Sequence, residues 1–167
     1  DPIMVGHYEN DAIAGPESLI DRELLQGELS ERRALGLYAG PRGTVTVALR
    51  VRHGRQDAGL PSGAVVTGLG PYDGALSPAE LTESVRSGVL RYLLQVIDVL
   101  GEAPRELSLA TLLLGYNSSA NLSVAASVEA LVRGVIEANA RFQQTTRLDI
   151  RVARLDIVEL YLDTAIT

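Results

Sequence analysis

The chain has 167 residues, 46% hydrophobic and 22% charged, which is one domain's length and too apolar for a disordered segment. Its net charge is −6, which argues against a basic grip on a phosphate backbone. All 15 cations are Arg, and Lys and Cys do not occur, so P-loop and Schiff-base lysines, disulfides, thiolate catalysis and zinc–thiolate sites are excluded within it.

No stretch approaches the roughly 18–20 uncharged apolar residues of a membrane span. No basic segment followed by an apolar core opens the chain. The expected compartment is the cytoplasm, with neither nucleic acid nor membrane as partner. Residues 1–167 read as one domain.

Ile3 to Tyr8 is a short apolar run that predicts a buried strand, ending in the loop Glu9-Asn10-Asp11. Pro16 and Glu17 suit a helix start, with Leu19, Ile20, Leu24 and Leu25 on one face and Gly27 as its stop. Leu29, Leu35 and Leu37 mark a second short piece, helical or irregular, from Ser30 onward. Turn chemistry at Gly40-Pro41-Arg42-Gly43 precedes an alternating strand, Thr44–Arg52. Its Val45, Val47, Leu49 and Val51 face is apolar. Its Thr and Arg face predicts a sheet edge or a solvated surface.

Gly63 to Gly70 lacks alternation, as in a strand covered on both faces. Ser77 and Glu80 have capping-box spacing. The helix they open is predicted to reach Leu100, with Leu81, Val85, Val89, Tyr92, Val96 and Leu100 as core and Leu90, Leu94 and Ile97 widening the stripe. Leu107–Gly115 is the candidate central strand. A second long helix begins near Ser123, with Val124, Val128, Leu131, Val132, Val135 and Ile136 inward, and fades around 142–144. Gly88 and Gly134 inside the helices predict close approach to the sheet. Ile150 to Tyr161 is the last strand, interrupted at Ala153-Arg154, and 163–167 reads as the first turn of a helix cut short. Strands alternating with long helices predict an α/β layered fold with a mixed, largely parallel sheet.

The chemistry-bearing residues are few. The histidines are His7 and His53, and no serine sits in a nucleophile elbow. His7 lies at the C-terminal end of the first strand, where open α/β sheets place ligands. Glu9 and Asp11 follow it, making a possible polar site. Lone histidines seldom act without a partner, so a structural role for His7 stands beside the functional one. No catalytic set, metal-ligand spacing or cofactor motif is present, and none is assigned.

Two loops between a strand and a helix suit an anion. One holds Gly68, Gly70 and Gly74, one residue too long for a dinucleotide fingerprint and with Pro71 lacking an amide. The other holds Gly115, Tyr116, Asn117, Ser118 and Ser119, whose residue types equally serve as a helix-capping loop.

Ala64–Gly70 followed by Leu76-Ser77-Pro78-Ala79-Glu80-Leu81 resembles the N-terminal domain of leucyl aminopeptidases, a strand ending in G-L-G before a helix opened by L-T-x-E-x-L. Gly40–Thr44 and Ala130–Phe142 are similar to two further segments of that domain. The resemblance implies a macrodomain-like architecture with helices on both sheet faces and no catalytic role. Val5–Asp11, Glu17–Asp21, Gly27–Ser30 and Leu35–Pro41 resemble a segment of large bacterial proteins that also carry a CHAT domain, a caspase-like peptidase. That implies a non-catalytic interaction or regulatory module, probing a protein partner or adjacent domain, and a fragment of a longer polypeptide. A small-molecule ligand, nucleotide or ADP-ribose, is the alternative, although the glycine-rich loop of ADP-ribose-binding macrodomains is missing. A hydrolase built on His7 with Glu9 and Asp11 is the third reading.

Overall fold

The computed structural model describes residues 1–50, 63–100, 105–116, 118 and 121–159. The elements, in chain order, are β1 (Ile3–Glu9), α1 (Gly15–Glu23), α2 (Glu28–Ala34), β2 (Val45–Leu49), β3 (Gly63–Pro71), α3 (Pro78–Leu100), β4 (Glu106–Leu112), α4 (Val124–Thr146) and β5 (Arg151–Val158). The sheet order is β2-β3-β1-β4-β5. Among the described residues, only the β2–β3 pair is antiparallel. The expected mixed, largely parallel α/β sheet is what forms, and β1, rather than β4, is its central strand.

Alternation along β1 divides the interior in two. Met4 and Tyr8 join Val65, Leu69, Leu109 and the inward faces of α3 and α4. Val5 joins Val66, Ala48, Ile20 and Leu29 under α1 and α2. Helices therefore cover both faces, and β3 is buried from Gly63 to Gly70, as a strand without alternation requires. Of the two alternatives for the Thr and Arg face of β2, the sheet edge holds, since β2 ends the strand order, and the face is not solvated: Thr46 and Ala48 are buried. Thr46 is accommodated because its hydroxyl accepts from the Ala39 amide at 2.9 Å and donates to the Leu37 carbonyl at 3.2 Å. Val51 and Arg52 lie outside the described residues.

The capping box of α3 forms. The Glu80 amide donates to Ser77 Oγ at 3.2 Å, and Glu80 Oε2 accepts from the Ser77 amide at 2.8 Å. Ser123 caps α4 by accepting from the Ala126 amide at 3.2 Å. Buried Asp21 caps α2 from outside that helix, accepting from the Leu29 amide at 2.8 Å and the Ser30 amide at 3.2 Å.

Two helical stripes differ from expectation. In α3, Leu93 is fully buried and Leu94 is exposed. In α4 the buried line is Ser127, Ala130, Leu131, Gly134, Val135 and Ala138, while Val132 and Ile136 face outward. The cause is close packing of the two helices. A Cβ on Gly134 would stand 2.7 Å from Val85 Cβ, so small residues take the contact and bulkier ones turn away. Gly134 thus serves a helix–helix approach, whereas Gly88 serves helix–sheet contact, its added Cβ lying 3.0 Å from Met4 Cε. At the polar interruption in β5 the register passes from Leu107↔Val152 to Ser108↔Arg154, making Ala153 the extra residue of a bulge. Tyr161 and 163–167 lie outside the described residues.

Candidate functional site

The neighbouring strands β1 and β4 part at their C-terminal ends. β1 pairs with β4 at Ile3↔Ala110 and Met4↔Thr111, and no later pair joins them among the described residues. β1 leads to α1 on one face, while β4 leads to α4 on the other. Diverging connections leave a crevice between the strands, the topological switch point at which open α/β sheets bind ligands.

A cavity of about 220 Å³ occupies this position. Val5 to Tyr8 form one wall, Leu112 to Gly115 with Ser118 the other, and Asp11, Ala14 and Glu17 the rim. The wall from β4 is fixed in several ways. Tyr8 donates to Ser118 Oγ at 2.9 Å, and its ring meets Tyr72 edge-on at 5.2 Å. Ser127 Oγ donates to the Leu114 carbonyl at 2.6 Å, and the Leu122 amide donates to the Gly115 carbonyl at 3.0 Å. Gly115 has φ +75°, and a Cβ there would stand 2.8 Å from Leu122 Cδ1, so the turn depends on glycine.

His7, 4% exposed, points from β1 toward α1. Its Nδ1 lies 2.9 Å from Glu17 Oε2. Tyr38 donates to the other oxygen of Glu17 and sets its ring edge-on to His7, with centroids 4.9 Å apart. Burial, followed by the Glu17 carboxylate, pushes the Tyr38 phenol well above its ordinary value, so Tyr38 holds its proton and acts as donor. Glu17 sits in the first turn of α1, where the helix dipole favours a carboxylate.

The partner of His7 is therefore Glu17, ten residues on. Asp11 accepts instead from the Ala12 amide at 2.7 Å. Glu9 and Asp11 border a second cavity of about 240 Å³ beside Arg33 and Tyr38, which His7 also reaches. Glu17 and Tyr38 were not singled out from sequence as site residues. The available signal was an acid in the first turn of a helix beside a strand-end histidine, but the same acid reads equally well as a helix-start preference.

The loop between β3 and α3 is organised differently. The Gly68 amide donates to the Thr44 carbonyl and the Gly70 amide to the Gly40 carbonyl, both at 2.9 Å, and the Gly74 amide closes a turn on the Pro71 carbonyl at 3.1 Å. Arg42 fills the space alongside, donating to the Ala75 carbonyl at 2.6 Å and pairing with Glu80. These three amides thus serve the fold. Of the second loop, Gly115 and Ser118 line the crevice; Asn117 and Ser119 lie outside the described residues, and Tyr116 is half-buried and does not line it. His53 is also outside the described residues. Among the described residues no cluster of three or more His, Asp or Glu is placed to hold a metal, and no helix is long and apolar enough to cross a membrane.

A larger cavity, about 430 Å³, lies against β2 and includes Arg32, Leu37, Thr46, Arg91 and Gln95. It is bordered by the 36–39 segment and the first residues of β2, at the edge of the sheet and not in the crevice between β1 and β4.

Comparison with solved structures places the architecture. The bottromycin maturation enzyme BotP aligns with 99% of this chain at TM-score 0.55 and 17% identity, and the chain spans 29% of that enzyme's length. The macrodomain of Mycobacterium tuberculosis DarG aligns with 93% of this chain, and 88% of its own, at TM-score 0.52 and 17% identity. The fold is macrodomain-like. The macrodomain of Thermus aquaticus DarG agrees, with TM-score 0.53, 14% identity and coverage of 95% of this chain and 88% of its own. No protein-family model and no curated protein matches the sequence. The macrodomain-like architecture expected from sequence is thus present.

Proposed function

We propose that this chain is a macrodomain-like binding module that takes a nucleotide or ADP-ribose in the crevice between β1 and β4. The observation that carries the reading is the parting of these strands after Met4, which opens a lined cavity at the switch point of the sheet. The lining combines apolar Val5, Leu69 and Leu112 with Asp11, His7 and Ser118, and no Arg borders it among the described residues. Apolar walls with a few polar groups suit the nucleoside end of such a ligand. The cavity is smaller than the roughly 300–1000 Å³ of full ligand pockets, so the phosphates would extend over the rim. Calorimetry with ADP-ribose, AMP and adenosine tests this. Binding that Ala14→Phe, at the rim, weakens at least about tenfold supports it; no heat at millimolar ligand overturns it.

A second reading, a non-catalytic accessory module beside an effector domain, is supported by the resemblances to leucyl aminopeptidase and CHAT-associated segments. It is also supported by the alignment with 29% of BotP, a larger chain. Both readings assign the chain no bond-breaking step. Its test is the full reading frame: an adjoining peptidase domain would support the accessory role, and a frame ending with this module would contradict it.

A further inference from the structure

The bonding of His7 leaves one ring nitrogen unused. Glu17 accepts from Tyr38 on one oxygen and lies 2.9 Å from Nδ1 on the other. A carboxylate can only accept, so in the neutral imidazole the proton sits on Nδ1 and Nε2 keeps its lone pair. No hydrogen bond to Nε2 occurs among the described residues, yet no fully enclosed side-chain nitrogen or oxygen is left unpaired. Nε2 therefore opens onto the space beside the ring, and His7 borders both the crevice and the neighbouring 240 Å³ cavity.

We propose that the chain Tyr38–Glu17–His7 presents Nε2 as a hydrogen-bond acceptor for a hydroxyl group of the bound ligand, a ribose hydroxyl if the ligand is a nucleotide. The inference rests on the binding function proposed above and names the residue that selects a hydroxylated ligand. Tyr38 and Glu17 are positioning residues: the phenol fixes the carboxylate, and the carboxylate fixes the imidazole tautomer.

Nitrogen-15 NMR of the imidazole tests it, with His53→Asn removing the other histidine signal. The free protein, at a pH where His7 is neutral, is expected to carry its proton on Nδ1, and ADP-ribose is expected to move the Nε2 resonance toward a hydrogen-bonded value. Glu17→Gln is expected to mix the tautomers and weaken ADP-ribose binding about tenfold, roughly the worth of one hydrogen bond. Tyr38→Phe, which keeps the ring, provides a milder version of the same change should the first variant fail to fold. A proton on Nε2 in the free protein overturns the inference without any ligand. Calorimetric binding with an unmoved Nε2 signal overturns it while the binding function stands. No binding of any nucleotide overturns both.

Discussion

Asn139 of α4 and Val152 of β5 exchange two hydrogen bonds. Asn139 Nδ2 donates to the Val152 carbonyl and the Val152 amide donates to Asn139 Oδ1, each at 2.9 Å. β5 is an edge strand, and this side chain covers two main-chain groups that the sheet leaves open at that edge. Asn139→Ala is expected to lower unfolding stability by about 1–2 kcal/mol in urea titration. A loss below about 0.5 kcal/mol, the range of ordinary surface changes, contradicts the assignment.

Gly68 separates a structural from a ligand-binding account of the β3–α3 loop. A Cβ there would stand 2.1 Å from the Pro41 carbonyl oxygen, and main chain cannot yield as a flexible side chain does. Gly68→Ala is expected to destabilise the fold by about 3 kcal/mol, the upper end of overpacking costs. Unchanged stability together with lost ligand binding would return this loop to the site.

Acid tests the α3 cap. Hydrogen bonds from the Ser77 amide and hydroxyl, then the Arg42 charge, hold the Glu80 carboxyl below its ordinary value of 4.5. A carboxyl lowered in the folded state contributes stability above its unfolded value and loses it as pH falls through the folded value. The stability difference between the protein and Glu80→Gln is therefore expected to be constant above about pH 5 and to shrink below pH 4.5. A difference that persists unchanged at low pH contradicts the cap.

Alkali tests the core. Burial pushes the Tyr92 phenol from 10.0 up to about 12. The unfolded chain then ionises first, so this contribution is whole below pH 10 and declines as pH rises toward 12. Tyr92→Phe is expected to show a shallower loss of stability over that interval in pH-dependent denaturation. Equal slopes contradict a buried phenol.

Much of the fold was legible because local signals agreed with the global arrangement. The capping box, the unbroken apolar run of β3 and the turn at 40–43 each depend on neighbouring residues alone. The inward face of α4 was not legible. Val132 and Ile136 carry the larger apolar signal, but the close approach of α3 at Gly134 gives the interface to smaller residues. Only the position of a distant helix decides that. The candidate site was half legible for the same reason. His7 and Gly115 announce themselves through strand-end position and turn chemistry, whereas Glu17 and Tyr38 reach His7 only after α1 and the 36–41 segment fold across β1.

The binding account is tested most directly by mapping backbone amide shifts as ADP-ribose is added. The largest changes are expected on Gly6, His7 and Tyr8 and on Leu113 to Gly115, the two walls of the crevice. Changes confined to the β2-edge cavity around Arg32 and Arg91, or no change at millimolar ligand, would contradict it.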